Sequence, residues 1–108
     1  MRIYIFYIIL FICSYQSFSQ LIINELMSSN QKTIIDQYGD SSDWLEIYNS
    51  GNESINLEYF SLSDDIKNPK KWLFPSIEIL PSQFLLVFCS GKNTYKNNEL
   101  HTNFKIQQ

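Results

Sequence analysis

The segment Trp44–Asn49 is the feature that most restricts what this chain can fold into. Its apolar residues Leu45 and Ile47 alternate with other residue types, and side chains two positions apart in a β-strand lie on the same face. A Ser-Gly pair follows the segment and can form a turn, because glycine readily takes positive φ. The pattern predicts a short strand whose Leu45 and Ile47 face a core, with Glu46 mostly in solvent.

Short strand-like segments recur along the rest of the chain, separated by turn-forming Asn, Ser, Gly and Pro. The most apolar of them, Phe84–Cys89, is predicted to be the central strand of a sheet. The other predicted strands are Leu21–Met27, Ile34–Ile35, Ile55–Leu57, Phe60–Ser63, Lys70–Pro75 and His101–Ile106. Tyr95–Glu99 is predicted to be a polar loop, and no segment shows helical periodicity with capping residues. This succession predicts an all-β sandwich of short antiparallel strands.

Residues 1–19 have the three parts of a secretory signal peptide. Arg2 supplies a positive charge, Ile3–Cys13 is an apolar run, and Ser17–Ser19 forms a small-x-small cleavage site. Because the run is shorter than the roughly 20 residues that span a bilayer, cleavage is favoured over an uncleaved anchor or a buried first strand. The sequence therefore predicts a secreted or cell-surface protein without a membrane span after cleavage, whose folded domain covers residues 20–108.

The charge of the chain argues against nucleic acid as a partner. The formal net charge is −3 at pH 7, and loss of Arg2 with the signal peptide would make the remainder more acidic. The lysines are scattered apart from the pair Lys70-Lys71, whereas phosphate binding requires a basic surface. The sequence predicts no binding of nucleic acid.

An ordered set of motifs resembles the lamin-tail domain of bacterial, secreted proteins. Ile23–Glu25 is similar to the first-strand motif of that family, and Asp40–Asn49 is similar to its central motif. Leu62–Asp65, Lys71–Pro75 and His101–Ile106 follow in the family's order. The resemblance covers essentially the whole chain after the signal peptide and implies an immunoglobulin-like β-sandwich. The residues that carry the structural motif are Asn24, Glu25, Asp43, Trp44, Leu45, Glu46, Ile47, Asn49, Trp72 and Pro75.

The C-terminus departs from this resemblance. The family continues with a glycine-bearing turn and further strands, whereas this sequence stops at Gln108. An immunoglobulin-like sandwich has about seven strands over roughly 100 residues. The sequence therefore predicts a sandwich whose C-terminal strands are missing, with an unpaired sheet edge beside Phe84–Cys89 that would promote self-association.

Three carboxylates around a glycine form the one constellation that suggests a metal. Asp36, Asp40 and Asp43 flank Gly39 and could supply oxygens to calcium, which takes about 6–8 oxygen ligands. An EF-hand is not matched, because Tyr38 stands where a second Asp or Asn would be and no glutamate closes the loop. The favoured alternative is a turn in which the carboxylates accept hydrogen bonds from nearby backbone amides. No other cofactor is predicted.

No catalytic site is predicted. His101 is the only histidine and has no second histidine or suitably spaced cysteine as a zinc-binding companion. Glu25 and Glu46 could form a carboxylate pair, but both fall within predicted strands, where solvated or structural roles are more usual. Cys89 lies in an apolar segment, which predicts packing rather than a reactive thiol. The sequence contains neither a nucleophile elbow nor a glycine-rich phosphate loop.

Five aromatic side chains could form a binding platform or could fill the interior. They are Trp44, Tyr48, Tyr59, Phe60 and Trp72. An exposed group of such rings would suit a sugar or protein surface, whereas buried rings would pack the core and cover loops. Packing is the favoured alternative.

The sequence supports two functions of different classes. The first is a non-catalytic, secreted or cell-surface module that binds a protein or a glycan surface, as the resemblance implies. The alternative is an accessory N-terminal domain of a larger secreted hydrolase, whose catalytic part would lie beyond residue 108. Only the second function predicts that a catalytic domain is encoded downstream of residue 108.

Overall fold

The alternating segment at residues 44–49 forms a strand in the computed structural model, which describes residues 20–28 and 34–106. The predicted signal peptide, residues 1–19, lies outside the described residues. One 3₁₀ turn spans Leu57–Tyr59. The strands of the described ranges are β1 (Leu21–Met27), β2 (Trp44–Asn49), β3 (Ile55–Asn56), β4 (Ser61–Leu62), β5 (Trp72–Leu73), β6 (Glu78–Ile79), β7 (Phe84–Phe88), β8 (Thr94–Lys96) and β9 (Glu99–His101).

The larger sheet has five strands in the order β1-β2-β7-β9-β8. All neighbouring strands are antiparallel except β7 and β9, which are parallel. Leu45 pairs with Val87 and Ile47 pairs with Leu85, so their side chains share the face that contacts the core. The central place predicted for the apolar strand is confirmed.

Two small ladders, β3–β6 and β4–β5, form the opposing layer. They bring Leu57, Trp72, Phe74 and Ile79 into the same cluster of buried residues as the inward side chains of the larger sheet. Burial of such apolar area is the main force that holds the two layers together. The predicted all-β sandwich is confirmed.

The structure corrects several predicted element bounds. Ile34–Ile35 is not a strand, and Leu57 begins the 3₁₀ turn instead of ending β3. The side chain of Asn56 caps this turn by accepting a hydrogen bond from the backbone N–H of Glu58 at 3.0 Å. Strand β6 was not predicted, because two residues are too few to show an alternating pattern.

The predicted polar loop at Tyr95–Glu99 is instead the hairpin of β8 and β9. Asn97 and Asn98, with φ of 53° and 62°, form its two-residue turn, for which two positive φ values match the right-handed twist of the strands. The strand predicted for His101–Ile106 is wrong over most of its length, since β9 ends at His101 and only Lys105 forms an isolated bridge.

The edges of the larger sheet differ in part from the prediction. Strand β7 has β2 along one side and β9 along the other, where β9 pairs with Val87 and Phe88. Among the described strands, β1 and β8 are the outer ones. The unpaired edge predicted beside Phe84–Cys89 is therefore covered at Val87 and Phe88, whereas no described strand pairs with Phe84–Leu86 on that side. No helix within residues 20–28 and 34–106 has the length and hydropathy needed to cross a membrane.

Candidate functional site

The first cluster of charged groups is built on the turn that begins at Asp36. Its carboxylate is fully buried and accepts hydrogen bonds from the backbone N–H of Tyr38 at 2.9 Å and of Asp40 at 3.0 Å. Ser42 Oγ donates to the other carboxylate oxygen at 3.3 Å. Gly39 takes φ of +85°, a conformation that favours glycine and closes the turn. The turn expected as the alternative to a calcium site is therefore present.

Lys92 supplies a positive charge to this turn from a distant part of the chain. Its Nζ contacts Asp36 Oδ2 and lies 2.8 Å from Asp40 Oδ2 and 4.8 Å from the centroid of the Tyr38 ring. Burial alone would raise the pKa of Asp36, but hydrogen bonds from Lys92, Asp40 and Tyr38 outweigh it and hold that pKa below its ordinary value. Burial would likewise lower the pKa of Lys92, but its two carboxylate partners raise it above its ordinary value.

The three predicted calcium ligands are only partly brought together. Asp36 and Asp40 meet at Lys92 Nζ, so a calcium ion between their carboxylates would have to displace an ammonium group. The carbonyl of Asp43 accepts a hydrogen bond from the backbone N–H of Cys89 at 2.7 Å, which places Asp43 at the start of β2 beside the end of β7. In the described part of the chain, no group of three or more His, Cys, Asp or Glu residues could hold a metal ion.

The second cluster is centred on His101, which is fully buried. Its Nδ1 lies 2.7 Å from Ser90 Oγ and its Nε2 lies 2.7 Å from Glu99 Oε1. The backbone N–H of Gln37 donates to both carboxylate oxygens of Glu99, at 3.0 and 3.1 Å. Burial alone would raise the pKa of Glu99, but hydrogen bonds from His101 and Gln37 outweigh it and lower that pKa. Glu99 is therefore an acceptor, and Nε2 of the imidazole carries a hydrogen.

The order Ser90, His101, Glu99 has the connectivity of a nucleophilic triad, but its surroundings make it a structural link. Ser90 Oγ already accepts a hydrogen bond from the backbone N–H of Lys92 at 3.1 Å. The imidazole is fully buried and stacks on Phe88 with ring centroids 5.1 Å apart, so it packs as part of the fold. The chain of hydrogen bonds joins the end of β7, the β8–β9 hairpin and the Asp36 turn.

A cleft of 460 Å³ lies beside these clusters. Asp40 and Asp43 provide its acidic groups, Lys92 and Lys105 its basic groups, and Cys89 also lines it. Burial raises the pKa of the Cys89 thiol to about 12, so that thiol is protonated at neutral pH and a weak nucleophile. The balance of acidic and basic side chains gives the cleft no strong preference for an anion or a cation.

Several polar residues of the structural motif join parts of the β-sandwich. Asn49 is fully buried; its Nδ2 donates to the carbonyls of Glu53 at 2.8 Å and Ile79 at 3.0 Å, and its Oδ1 accepts from the backbone N–H of Gly51 at 3.0 Å. Asn24 Nδ2 donates to Glu46 Oε1 at 2.8 Å across β1 and β2. These contacts give Asn24, Glu46 and Asn49 structural roles.

The apolar residues of the motif belong to the interior or border it. Leu45, Ile47 and Trp72 lie in the core cluster, and Trp44 is buried on the opposite face of the larger sheet. Pro75 is half-buried and follows Phe74, whose ring meets that of Trp72 edge to face at 4.8 Å.

The five aromatic residues do not form one platform. Trp44 and Trp72 are buried, which supports the packing alternative for both. Tyr59 and Phe60 are exposed. Tyr48 stacks on Phe84 with ring centroids 4.5 Å apart.

Lys92, Ser90 and Glu99 were not identified from the sequence as partners of Asp36 and His101. The contact between Lys92 and Asp36 joins residues 56 positions apart. No local pattern indicates such a pair, because it depends on the sheet order that brings the end of β7 beside the Asp36 turn.

Comparison with known proteins identifies a matching family. The family model described as Lamin Tail Domain matches residues 15–108. Neither the curated proteins nor the solved structures contain a significant match to this chain.

Proposed function

The chain belongs to the lamin tail domain family, whose domain has an immunoglobulin-like fold without a catalytic role, and we propose that it is a secreted or cell-surface module that binds a protein or a glycan. Its charged clusters serve this role by holding the sandwich rigid, since the ionic groups of Asp36, Lys92 and Glu99 are engaged with other groups of the fold. A rigid sheet can present a binding surface at a low cost in conformational entropy.

The observation that carries the proposal is an apolar band on the outer face of the larger sheet. Ile22, Tyr48 and Phe84 stand side by side on β1, β2 and β7 and define the outer band. Phe84 is 52% exposed although its ring stacks on Tyr48 at 4.5 Å. Neighbouring apolar and aromatic side chains that remain in water gain free energy when a partner covers them.

Binding at the outer band can be tested with substitutions on the exported protein. The double variant Ile22→Ser/Phe84→Ser should weaken binding to an extracellular protein or polysaccharide of the producing cell at least tenfold, as measured on a sensor surface. Ile66→Ser is the matched control, because Ile66 is 96% exposed and lies in the loop between β4 and β5. Equal binding by the double variant and the control would refute the band as the contact surface.

The secreted location rests on the sequence of residues 1–19 and has its own test. Cell fractionation followed by N-terminal sequencing should find the protein outside the cytoplasm, with a new terminus at Gln20. A full-length chain that stays in the cytoplasm would refute this part of the proposal. A catalytic domain encoded after codon 108 would instead make this chain the accessory domain of a larger secreted hydrolase.

A further inference from the structure

Strand β1 is an outer strand of the larger sheet. Six of its seven residues, all except Asn24, pair with β2 on one side, and the described residues contribute no strand on the other. An outer strand presents backbone N–H and C=O groups that can pair with an added strand. A bulge between Ile23 and Glu25 interrupts the ladder with β2, but β1 contains neither lysine nor proline, the residues that commonly protect such edges.

Apolar side chains on β1 extend the core-facing side of the larger sheet past the region that the opposing layer buries. Ile23 pairs with Ile47, and Leu26 pairs with Leu45, so each shares a face with a buried core residue. Ile23 is 60% exposed and Leu26 is 57% exposed, in contrast to those partners. A strand added along β1 would bring its own side chains against Ile23 and Leu26 and remove their apolar surface from water.

The other face of β1 carries two like charges at opposed positions. Glu25 pairs directly with Glu46 across the two strands. Like charges at directly opposed positions destabilise a sheet, because the Cβ atoms of such residues are only about 4.5–5.5 Å apart. Asn24 Nδ2 donates to Glu46 Oε1 at 2.8 Å, but no lysine of the described ranges forms an ion pair with either carboxylate. A cation from a partner would relieve the repulsion.

We propose that β1 binds an extended segment of another protein as an added strand, with a Lys or Arg side chain over Glu25 and Glu46 and apolar side chains beside Ile23 and Leu26. The proposal rests on the proposed function as a binding module and specifies the chemistry of its partner. A second copy of this chain fits less well, because its β1 would bring a further Glu25 and no basic residue.

The probe is a synthetic peptide in which Val alternates with Lys over seven residues, and fluorescence anisotropy measures its binding to the exported protein. We expect saturable binding that weakens with added salt, because exposed ion pairs are screened. Replacing every Lys of the peptide by Glu should weaken binding at least tenfold. Methylating alternate backbone nitrogens of the peptide should abolish it, since pairing with β1 requires those N–H groups.

Two protein variants locate the contact. Glu25→Lys should weaken binding of the Val-Lys peptide at least tenfold and favour the Val-Glu peptide, whereas Glu58→Lys, a change at another exposed glutamate, should leave both affinities unchanged. Glu25→Gln should not lower the thermal midpoint, because it removes a like-charge contact. The methylated peptide tests strand pairing with the unaltered protein, so this result does not depend on the folding of a variant.

Each contrary result separates the inference from the proposed function. Equal binding of the Val-Lys and Val-Glu peptides, or of the methylated peptide, would overturn the inference. So would a concentration-dependent dimer that Glu25→Lys strengthens, because the occupant would then be a second copy. If the cell-surface ligand still binds the outer band while the Val-Lys peptide does not bind, the inference fails and the proposed function stands. If the Val-Lys peptide binds but no cell-surface ligand binds the outer band, the proposed function fails and the inference stands.

Discussion

Single buried polar side chains join distant parts of this sandwich. Asn49 is the clearest case, because one side chain makes three hydrogen bonds to backbone groups of the following turn and of β6. Its amide donates twice and accepts once, and it has no contact with solvent. Such a residue stabilises the fold chiefly because its absence would leave buried backbone groups without partners.

Asn49→Ala should lower the free energy of unfolding by about 2–3 kcal/mol, since the buried carbonyl of Ile79 loses the amide that donates to it. Urea denaturation followed by tryptophan fluorescence measures the change. Asn52→Ala, at an exposed position in the same turn, is the control and should change stability by less than about 0.5 kcal/mol. Equal effects of the two variants would contradict the role assigned to Asn49.

Lys92→Met should lower the free energy of unfolding by about 2 kcal/mol, because it keeps most of the side-chain length but leaves the Asp36 carboxylate buried without its cation. Thermal or urea denaturation provides the measurement. Lys96→Met, on exposed β8, is the matched control. In the variant Lys92→Met/Asp36→Asn, the second change should recover part of the loss; an additive further loss would contradict the ion pair.

At the scale of elements, the turns of this fold depend on Asn and Ser more than on glycine. Ser82, Asn93, Asn97 and Asn98 all take positive φ, as do Gly39 and Gly91. Asparagine tolerates this conformation better than most residues because its short polar side chain can bond locally. The β8–β9 hairpin shows the consequence, since its two-residue turn contains no glycine.

Asn98→Val should destabilise the protein by about 1–2 kcal/mol, because a β-branched residue is strained at φ of 62°. Asn98→Gly is the matched control and should keep or raise the thermal midpoint, since Asn-Gly is favoured in this type of hairpin turn. Calorimetry of both variants checks the prediction. A glycine variant as unstable as the valine variant would show that the Asn98 side chain, rather than backbone strain, matters.

The elements that could be predicted are those whose pattern is local. Leu45 and Ile47 show the alternation of β2, and the apolar sequence of β7 indicates a central strand. Strand β6 could not be found, because Glu78 and Ile79 become a strand only through pairing with β3. The β8–β9 hairpin was missed because an Asn-Asn pair is a weaker turn signal than Asn-Gly.

In the candidate site, only the contacts between residues close in sequence could be predicted. The turn at Asp36 follows from the spacing of short polar residues around Gly39, and its hydrogen bonds span two to six positions. The contacts of Lys92 and of Ser90 depend on the order of strands in the sheet. Only the folded structure therefore shows that the Asp36 site is a carboxylate pair neutralised by a lysine.

For the whole molecule, two carboxylates predict how stability varies with pH. The pKa values of Asp36 and Glu99 are lower in the folded state than their ordinary values of about 3.9 and 4.3. Their ionised forms thus stabilise the fold above these ordinary values, and the stabilisation is lost as pH falls through the lower folded pKa values.

The free energy of unfolding should therefore fall as the pH is lowered below about 4, as urea titrations at a series of pH values would show. Glu99→Gln should make this decline less steep, because one of the two groups no longer titrates. Glu58→Gln, at an exposed position, serves as the comparison. An unchanged slope in the Glu99 variant would contradict the assignment of this group.

Calcium should leave the thermal midpoint of the whole protein unchanged, because Lys92 already neutralises Asp36 and Asp40. Differential scanning fluorimetry with calcium, and with magnesium as the comparison ion, measures this. A rise specific to calcium would restore the calcium site predicted for Asp36, Asp40 and Asp43.

The ion pair at Asp36 also bears on the order in which the chain is made. Asp36 leaves the ribosome 56 residues before Lys92, and the strand β9, which pairs with both β7 and β8, is made later still. A growing chain that lacks Lys92 contains the Asp36 carboxylate without its cation, so the turn stays open to water. This end of the sandwich can therefore close only after Lys92 and β9 have been synthesised, so its folding must follow the synthesis of β1, β2 and the Asp36 turn.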